Sequence, residues 1–569
     1  MRTALFAFVL VVALAFPVFV GAGTPPADLI LLHGRIHTQD SNRSVVQAMA
    51  LRGNTIIAVG SDQVVSALKG PKTKTVDLAS RTVLPGIIDA HTHPAGSATS
   101  LDLCSLEDRI IAPNEVKAKL IECHHEHPVE DTRWFEVVSV NPNHLSLTLA
   151  DLDAITRKPM ILYGADGHTV WLNTAALQAA HITAATKDPA NGRIERDAAG
   201  NPTGTLRDGA ADIASVVPQP SIEYEAAELR KAFDAMHAVG ITSVQDASVG
   251  DHEMQVYKRL YDSRRLSMRV RGSYLLEDLH TSADVLIKQA VDFRKKWAVN
   301  PEFLRADAVK LFADGVIEYP TQTAALLAPY LDANGHPTDN RGPTYFTQDN
   351  LDRIVTEADA AGLTVHIHAI GDRAIRASLD AFAAARRQNG RLDNRDQIAH
   401  VELIDPADIP RFKELEVIAN LQLLWARRAI YVSIGTLPYL GPERSRYIYA
   451  ARSLRDAGAM IVGGSDWSVS TFSPFEAMEH AVTRTQGRGQ EPLFPEEGIR
   501  LQDIVDAYTI HAAYALKQEE TTGSLEPGKR GDFIVLDRDI FTIDPFDLHE
   551  TQVLDTYLDG RVVYTAVAK

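Results

Sequence analysis

Short apolar segments alternate with amphipathic helical stretches through the middle of this chain, and few folds accommodate that rhythm. Strands are predicted at 86–93, 241–245, 269–275, 308–312, 364–368, 397–403, 417–421 and 461–464, with helical patterns such as 224–239, 351–361 and 373–387 between most of them. Strand-then-helix repetition builds a parallel sheet, because a crossover element must return the chain to the same end of the sheet. Eight such units predict an α/β fold of the (β/α)8 TIM-barrel type. A doubly wound open sheet is the competing reading. It would carry a G-x-G-x-x-G phosphate loop between a strand and a helix, and the chain shows none.

At 569 residues the chain has room for more than a barrel. The interval 95–222, between the first two predicted strands, is too long for one crossover, so it is expected to hold an inserted subdomain or long loops over the barrel mouth. Asn191-Gly192 and Asn201-Pro202 mark turns within it. Both ends of the chain read as short strands with turns. Residues 48–59 pattern as a hairpin turning at Gly53-Asn54, and Phe533-Ile-Val-Leu536 and Arg561-Val-Val-Tyr564 pattern as strands. Residues 23–84 and 516–569 are therefore expected to form one small β-sandwich domain from both termini, flanking a barrel at 85–515.

A barrel of this type presents its reactive side chains at the C-terminal ends of the strands. The first strand runs through Leu84-Pro-Gly-Ile-Ile-Asp-Ala-His-Thr-His-Pro94. Strand alternation sends His91 and His93 to one face and Thr92 to the other. Two imidazoles on one side of a strand end make half of a metal site. The fourth strand carries Lys310 inside an apolar run, the fifth ends at His368, the sixth carries His400 and the eighth ends in Gly463-Gly-Ser-Asp466. Each residue alone has a plainer explanation: a histidine held in the core, a lysine extending to solvent, an aspartate capping the next helix. Their convergence on one mouth points instead to Zn²⁺ or a related ion. A buried ammonium beside a metal is costly, so the Lys310 pKa is expected to fall. A neutral amine reacts with CO2 to give a carbamate, which is an anionic oxygen ligand.

The order H-x-H, Lys, His, His, Asp resembles the amidohydrolase superfamily, most closely its family-3, YtcJ-like branch. That branch is similar to N-substituted formamide deformylases and more distantly to D-aminoacylases. Supporting stretches are Val309-Lys-Leu-Phe-Ala-Asp-Gly315, His368-Ala-Ile-Gly-Asp-Arg-Ala374, Gly464-Ser-Asp466 and Gly523-Ser-Leu-Glu-Pro-Gly528. In the insert, Asp166-Gly-His168 and Pro202-Thr-Gly-Thr-Leu206 fit as well. The resemblance implies a barrel of the metal-dependent hydrolase type. It assigns His91, His93 and Asp466 to a buried metal and His368 and His400 to a more exposed one. A carbamylated Lys310 would bridge them. It further implies hydrolysis of a non-peptide carbon–nitrogen bond by a metal-activated hydroxide, with Asp466 as general base. Esters, lactones or phosphotriesters, or a non-catalytic binding role, remain open, as does one ion against two.

Other residues are expected nearby. His366 shares the phase of His368 and points into the barrel behind the ligands. His168, Asp372 and Trp467 are candidate substrate or supporting contacts, and Trp425 a candidate pocket wall. His511 reads as packing. Asp208 stands where the family segment usually carries a glutamate. Cys123-His-His-Glu-His127 is rich in ligand types, but no strand aims it, and it reads as a solvated helix end or loop.

Arg2 followed by the apolar run 4–20 and Val20-Gly21-Ala22 reads as a signal peptide at 1–22, cleaved near Gly23. A periplasmic or secreted protein is expected, with no membrane association after cleavage. Cys104 and Cys123 are the two cysteines, either paired or free. A formal charge of −17 argues against nucleic acid as partner and leaves a small-molecule substrate. Association of identical chains is compatible with the sequence.

Overall fold

The computed structural model describes residues 25–566 except 107, 108, 110, 127–133, 143–146, 190, 213–215, 219 and 278–280. The leader expected at 1–22 lies outside the described residues. Eight parallel strands form one sheet in sequential order: β1 (Ile87–Thr92), β2 (Ile241–Val249), β3 (Arg269–Leu275), β4 (Leu304–Phe312), β5 (Thr364–Ala369), β6 (Gln397–His400), β7 (Ile418–Leu421) and β8 (Ile461–Gly463). Each overlaps a segment predicted from the sequence. The helices Ile222–Ala238, Gln348–Ala360 and Asp372–Asn389 likewise fall where the 3.6-residue period placed them. Strand residues such as Val244, Val309, Val365 and Ile398 are fully buried beneath helix residues such as Phe233, Ile354 and Phe382. That two-sided burial is why the strands read as apolar runs.

Closure of the barrel is made at the mouth. The Asp466 N–H donates to His91 O at 2.8 Å, and the His93 N–H donates to Trp467 O at 2.8 Å. Glycine at 464 permits this approach: a Cβ there would lie 2.6 Å from His91 Cβ. Asp89 fastens the same seam, since its Oδ1 accepts from Ser465 N at 3.0 Å.

Residues from both termini form two further sheets. Ala27–Leu32, Ala48–Arg52, Thr55–Gly60 and Lys69–Asp77 make one, and the 48–59 hairpin turns as predicted. The other joins Arg35–His37, Val45–Val46 and Thr82–Pro85 to Phe533–Leu536, Val553–Leu558 and Arg561–Thr565. Leu31, Met49, Val83, Phe533 and Tyr557 fill the space between them. A third sheet of six strands, spanning Cys104–Ser105 to Pro202–Asp208, belongs to the insertion. Cys104 and Cys123 are paired there as a disulfide. No described helix is long and apolar enough to cross a membrane.

Candidate metal centre

The C-terminal ends of β1, β4, β5, β6 and β8 open into one cavity of about 430 Å3, with His91, His93, Lys310, His368, His400 and Asp466 on its wall. All six residues selected from the sequence are thus brought together. His91, His400 and Asp466 form the tightest group, with ligand atoms within 4.8 Å of one another. His93 Nε2 lies 3.1 Å and His91 Nε2 3.4 Å from Asp466 Oδ1, and His400 Nδ1 lies 3.9 Å from Oδ2. His368 stands on the wall beside them, its ring centroid 4.5 Å from that of His400 and its Nε2 3.2 Å from Gly315 O. Lys310 extends its amine over Phe312, 4.6 Å from the ring centroid.

The backbone is bent to aim two of these groups. His400 and Asp466 both take left-handed conformations, with φ of 76° and 54°. Such conformations are uncommon for these residue types and persist where surrounding structure enforces them. Nearby, the buried Asp314 side chain accepts from Ala325 N, Ile370 N and Gly371 N at 2.8–3.0 Å. Those bonds tie the loops after β4 and β5 together behind His368.

The donors fit a divalent cation. His91 Nε2 and His400 Nδ1 are buried and have no hydrogen-bond partner. Leaving each lone pair unsatisfied costs about 1–3 kcal/mol, and a cation between them and Asp466 satisfies both. Ligation through His91 Nε2 requires the other ring nitrogen to carry the proton. His91 Nδ1 lies 2.9 Å from His366 Nε2, so it donates there, and His366 in turn meets the Gln245 amide. His366 therefore sits behind the ligands, as its strand phase implied. Burial holds the His91 imidazole neutral, with a pKa of about 3, and Lys310 adds to the effect. Burial works to raise the Asp466 carboxyl, but His91, His93 and His400 outweigh it and hold it well below the usual carboxylate range. Burial pulls the Lys310 amine down to about 8, against the attraction of Asp466 and Asp246.

The remaining candidates divide. His168 lines the cavity, its ring 5.8 Å from that of His368, and its Nδ1 donates to Asp208 Oδ1 at 2.9 Å. The aspartate that departs from the family pattern is thus the group that orients His168. Trp425 lines the cavity and lies parallel to His400 at 5.8 Å. Trp467 and Asp372 are not among the lining residues. The Trp467 ring packs edge-on against Phe472, and Asp372 Oδ1 accepts from Leu327 N at 2.7 Å. His511 packs beneath β8, bonded to Ile461 O. The His124–His125 cluster ends the helix Pro113–Glu126, none of its described residues lines the cavity, and His127 lies outside the described residues. Sequence reasoning gave no role to Asp89, Gln245, Glu318, Glu402 or Arg427. Asp89 stands two residues before the H-x-H pair, where its spacing offered a signal. The others lie on strands or loops with no motif around them.

The sequence profile of the amidohydrolase family matches residues 74–564. The chain belongs to the amidohydrolase family. This amidohydrolase is 28% identical over 560 residues to an N-substituted formamide deformylase of Arthrobacter pascens, covering 95% of this chain and 99% of that protein. It is also 28% identical to YtcJ of Bacillus subtilis, itself designated an amidohydrolase, over 93% of this chain and 98% of YtcJ. An uncharacterized metal-dependent hydrolase from Pyrococcus horikoshii shares the fold, with a TM-score of 0.71 at 23% identity, over 91% of this chain and 99% of that one. The amidohydrolase is an enzyme of the metal-dependent class that hydrolyses carbon–nitrogen bonds.

Proposed function

We propose that this amidohydrolase is exported and hydrolyses a non-peptide amide bond of a small molecule, with Asp466 as general base. The observation that carries the reading is the pair of buried, unpartnered imidazole nitrogens, His91 Nε2 and His400 Nδ1, converging on Asp466 at the barrel mouth. His91, His93, Lys310, His368, His400 and Asp466 would hold one or two divalent ions, zinc first among them. Such an ion, when bound, polarises a carbonyl and brings the pKa of water to about 7. The protein supplies the rest. Asp466, ionised throughout the neutral range, accepts the proton of the attacking water and passes it to the leaving amine. Lys310, with a pKa near 8, reaches the neutral amine form that carbamylation by CO2 requires. His168, held by Asp208, presents its other ring nitrogen toward the cavity, where a substrate oxygen or nitrogen would meet it. Trp425 and Phe312 give the cavity an aromatic wall against which an apolar part of the substrate would pack.

Export is supported by the leader-like run at 1–22 and by the Cys104–Cys123 disulfide, a bond that persists in oxidising compartments. The deformylase relative makes N-formyl amines the first substrates to try. The test is a panel of N-formyl, N-acyl and cyclic amides given to purified enzyme, with metal content measured by elemental analysis. Hydrolysis removed by chelation and restored by zinc is the expected result. A zinc-loaded enzyme that cleaves no member of the panel refutes the reading.

A further inference from the structure

Charged residues on the cavity wall fall into two groups. Most are already engaged. Lys310 and Asp466 belong to the candidate metal centre. Asp166 accepts from His168 N, Thr169 N and Thr169 Oγ1 at 2.7–3.1 Å. Glu253 accepts from Gly250 N at 2.7 Å and so closes the start of a helix. Burial pushes Glu318 up to about 7, so it carries at most part of a charge near neutrality. Glu402 also lines the cavity with Oε2 buried and unpartnered, and burial raises its carboxyl well above the ordinary value, which favours the uncharged form.

Arg427 is different. It lines the same cavity, two residues beyond Trp425, and among the described residues no ion pair joins its guanidinium to a carboxylate. Its Nε is buried and has no hydrogen-bond partner. Among the described residues its one side-chain hydrogen bond is to His480 Nε2, 3.5 Å from Nη1. His480 Nδ1 lies 2.9 Å from Leu424 O and therefore carries the ring proton, which leaves Nε2 as a neutral acceptor. The imidazole thus steadies the guanidinium without cancelling its charge. Arg373 and Arg428 also leave a buried Nε unpartnered, but Arg373 donates from Nη2 to Gly342 O and Arg428 pairs with Glu491. The more deeply buried Arg484 donates to Leu493 O, Tyr449 O and Ile448 O, and Arg269 pairs with Asp532 and Asp559. A part-buried guanidinium facing a cavity with donors to spare suits the planar, two-oxygen geometry of a carboxylate. Phe312, Trp425 and Tyr431 on the wall of the same cavity supply apolar surface.

We propose that Arg427 is a specificity-determining residue that receives a carboxylate of the substrate. The amide cleaved then belongs to an N-acyl derivative of an apolar amino acid. The inference rests on the hydrolase reading of the same cavity.

The zinc-loaded enzyme is assayed on both enantiomers of N-formylphenylalanine and on three analogues. These are the primary amide N-formylphenylalaninamide, the decarboxylated N-formylphenethylamine, and the cationic N2-formyl-3-phenylpropane-1,2-diamine. Charge-assisted hydrogen bonds of the usual strength predict kcat/KM for one enantiomer of the acid about 10–100-fold above that for the primary amide. Arg427→Met brings that ratio to about one, mainly through KM, and Arg427→Lys, which keeps the charge but not the fork, retains part of it. A preference for the amide or the diamine overturns the proposal, and the diamine result would hand specificity to Glu318 and Glu402. So does a ratio that survives Arg427→Met. Cleavage of N-formylphenethylamine without cleavage of either acid refutes the carboxylate site and leaves the hydrolase reading standing. Calorimetry with 3-phenylpropanoate and 3-phenylpropanamide covers the opposite case. If no amide is cleaved, but the acid binds better and loses its advantage in Arg427→Met, the hydrolase reading fails and the anion site stands.

Discussion

At the N-terminal end of β3, Arg269 donates from Nε to Asp532 at 2.6 Å and from Nη2 to Asp559 at 2.5 Å. Two residues on, Arg271 reaches Asp307, Thr364 Oγ1 and Ala515 O, all at 2.6–2.8 Å. At the opposite end of the same barrel, His91 Nε2 and His400 Nδ1 are as deeply buried and have no hydrogen-bond partner. The two ends show what burial of polar groups signifies in this fold. Where every donor is met, as under β3, the charges hold the barrel to the β domain that carries Asp532 and Asp559. Where lone pairs are left unmet and the backbone is bent to aim them, the energy has been left for a ligand.

That contrast is open to experiment. The largest effect is expected at the mouth. Asp466→Asn should lower kcat by about 10²–10⁴-fold, the range for loss of a general base, while the melting temperature changes little. Unchanged turnover would break the assignment of the mouth to chemistry. The base of the barrel should respond in the reverse way. Arg269→Met leaves Asp532 buried without its partner and should cost about 3–5 kcal/mol of stability, read by denaturant unfolding, with activity of the folded fraction retained. A stable but inactive Arg269→Met would erase the distinction between the two ends.

A smaller effect is expected in the insertion. Replacing Cys104 and Cys123 together by serine removes a cross-link closing 19 residues and should destabilise that subdomain by about 3 kcal/mol. Limited proteolysis would show cleavage within the insertion before the barrel. The smallest effect is a pH dependence. Burial works to raise the Asp307 carboxyl, but Arg271 and Arg305 outweigh it and hold its pKa well below the ordinary 3.8. Its ionised form therefore adds stability that is fully present above about pH 4 and is lost as the pH falls through the depressed value. Asp307→Asn should flatten the acid side of the stability profile and leave the neutral pH dependence of turnover unaltered. A change in the turnover profile would show that the base and the mouth are coupled.

Much of this molecule was legible as sequence. All eight barrel strands were, because two-sided burial makes a parallel strand a continuous apolar run. So was the candidate ligand set, since ligands on strand ends inherit the strand's period. His91, His93 and His366 needed nothing beyond alternation to be placed on the inner face. Trp467 shows the limit. Its position directly after Asp466 suggested a substrate or supporting contact, and only the closed fold seats its ring against Phe472, outside the cavity lining. Arg427, Glu318 and Glu402 carried no periodic signal at all, because their meaning depends on which loops face one another across the cavity.

The sequence by itself determined the order and spacing of strands, the donor types at their ends and the family to which the chain belongs. Those properties are local, set by burial period and side-chain chemistry. Only the tertiary structure decided which polar groups are satisfied and which are not. Pairing of Cys104 with Cys123, orientation of His168 by Asp208, and the lack of an ion pair between Arg427 and any described carboxylate all depend on how distant segments meet. A partner many residues away leaves no mark on the spacing of the chain, so what a charge lacks becomes visible when the fold has closed around it.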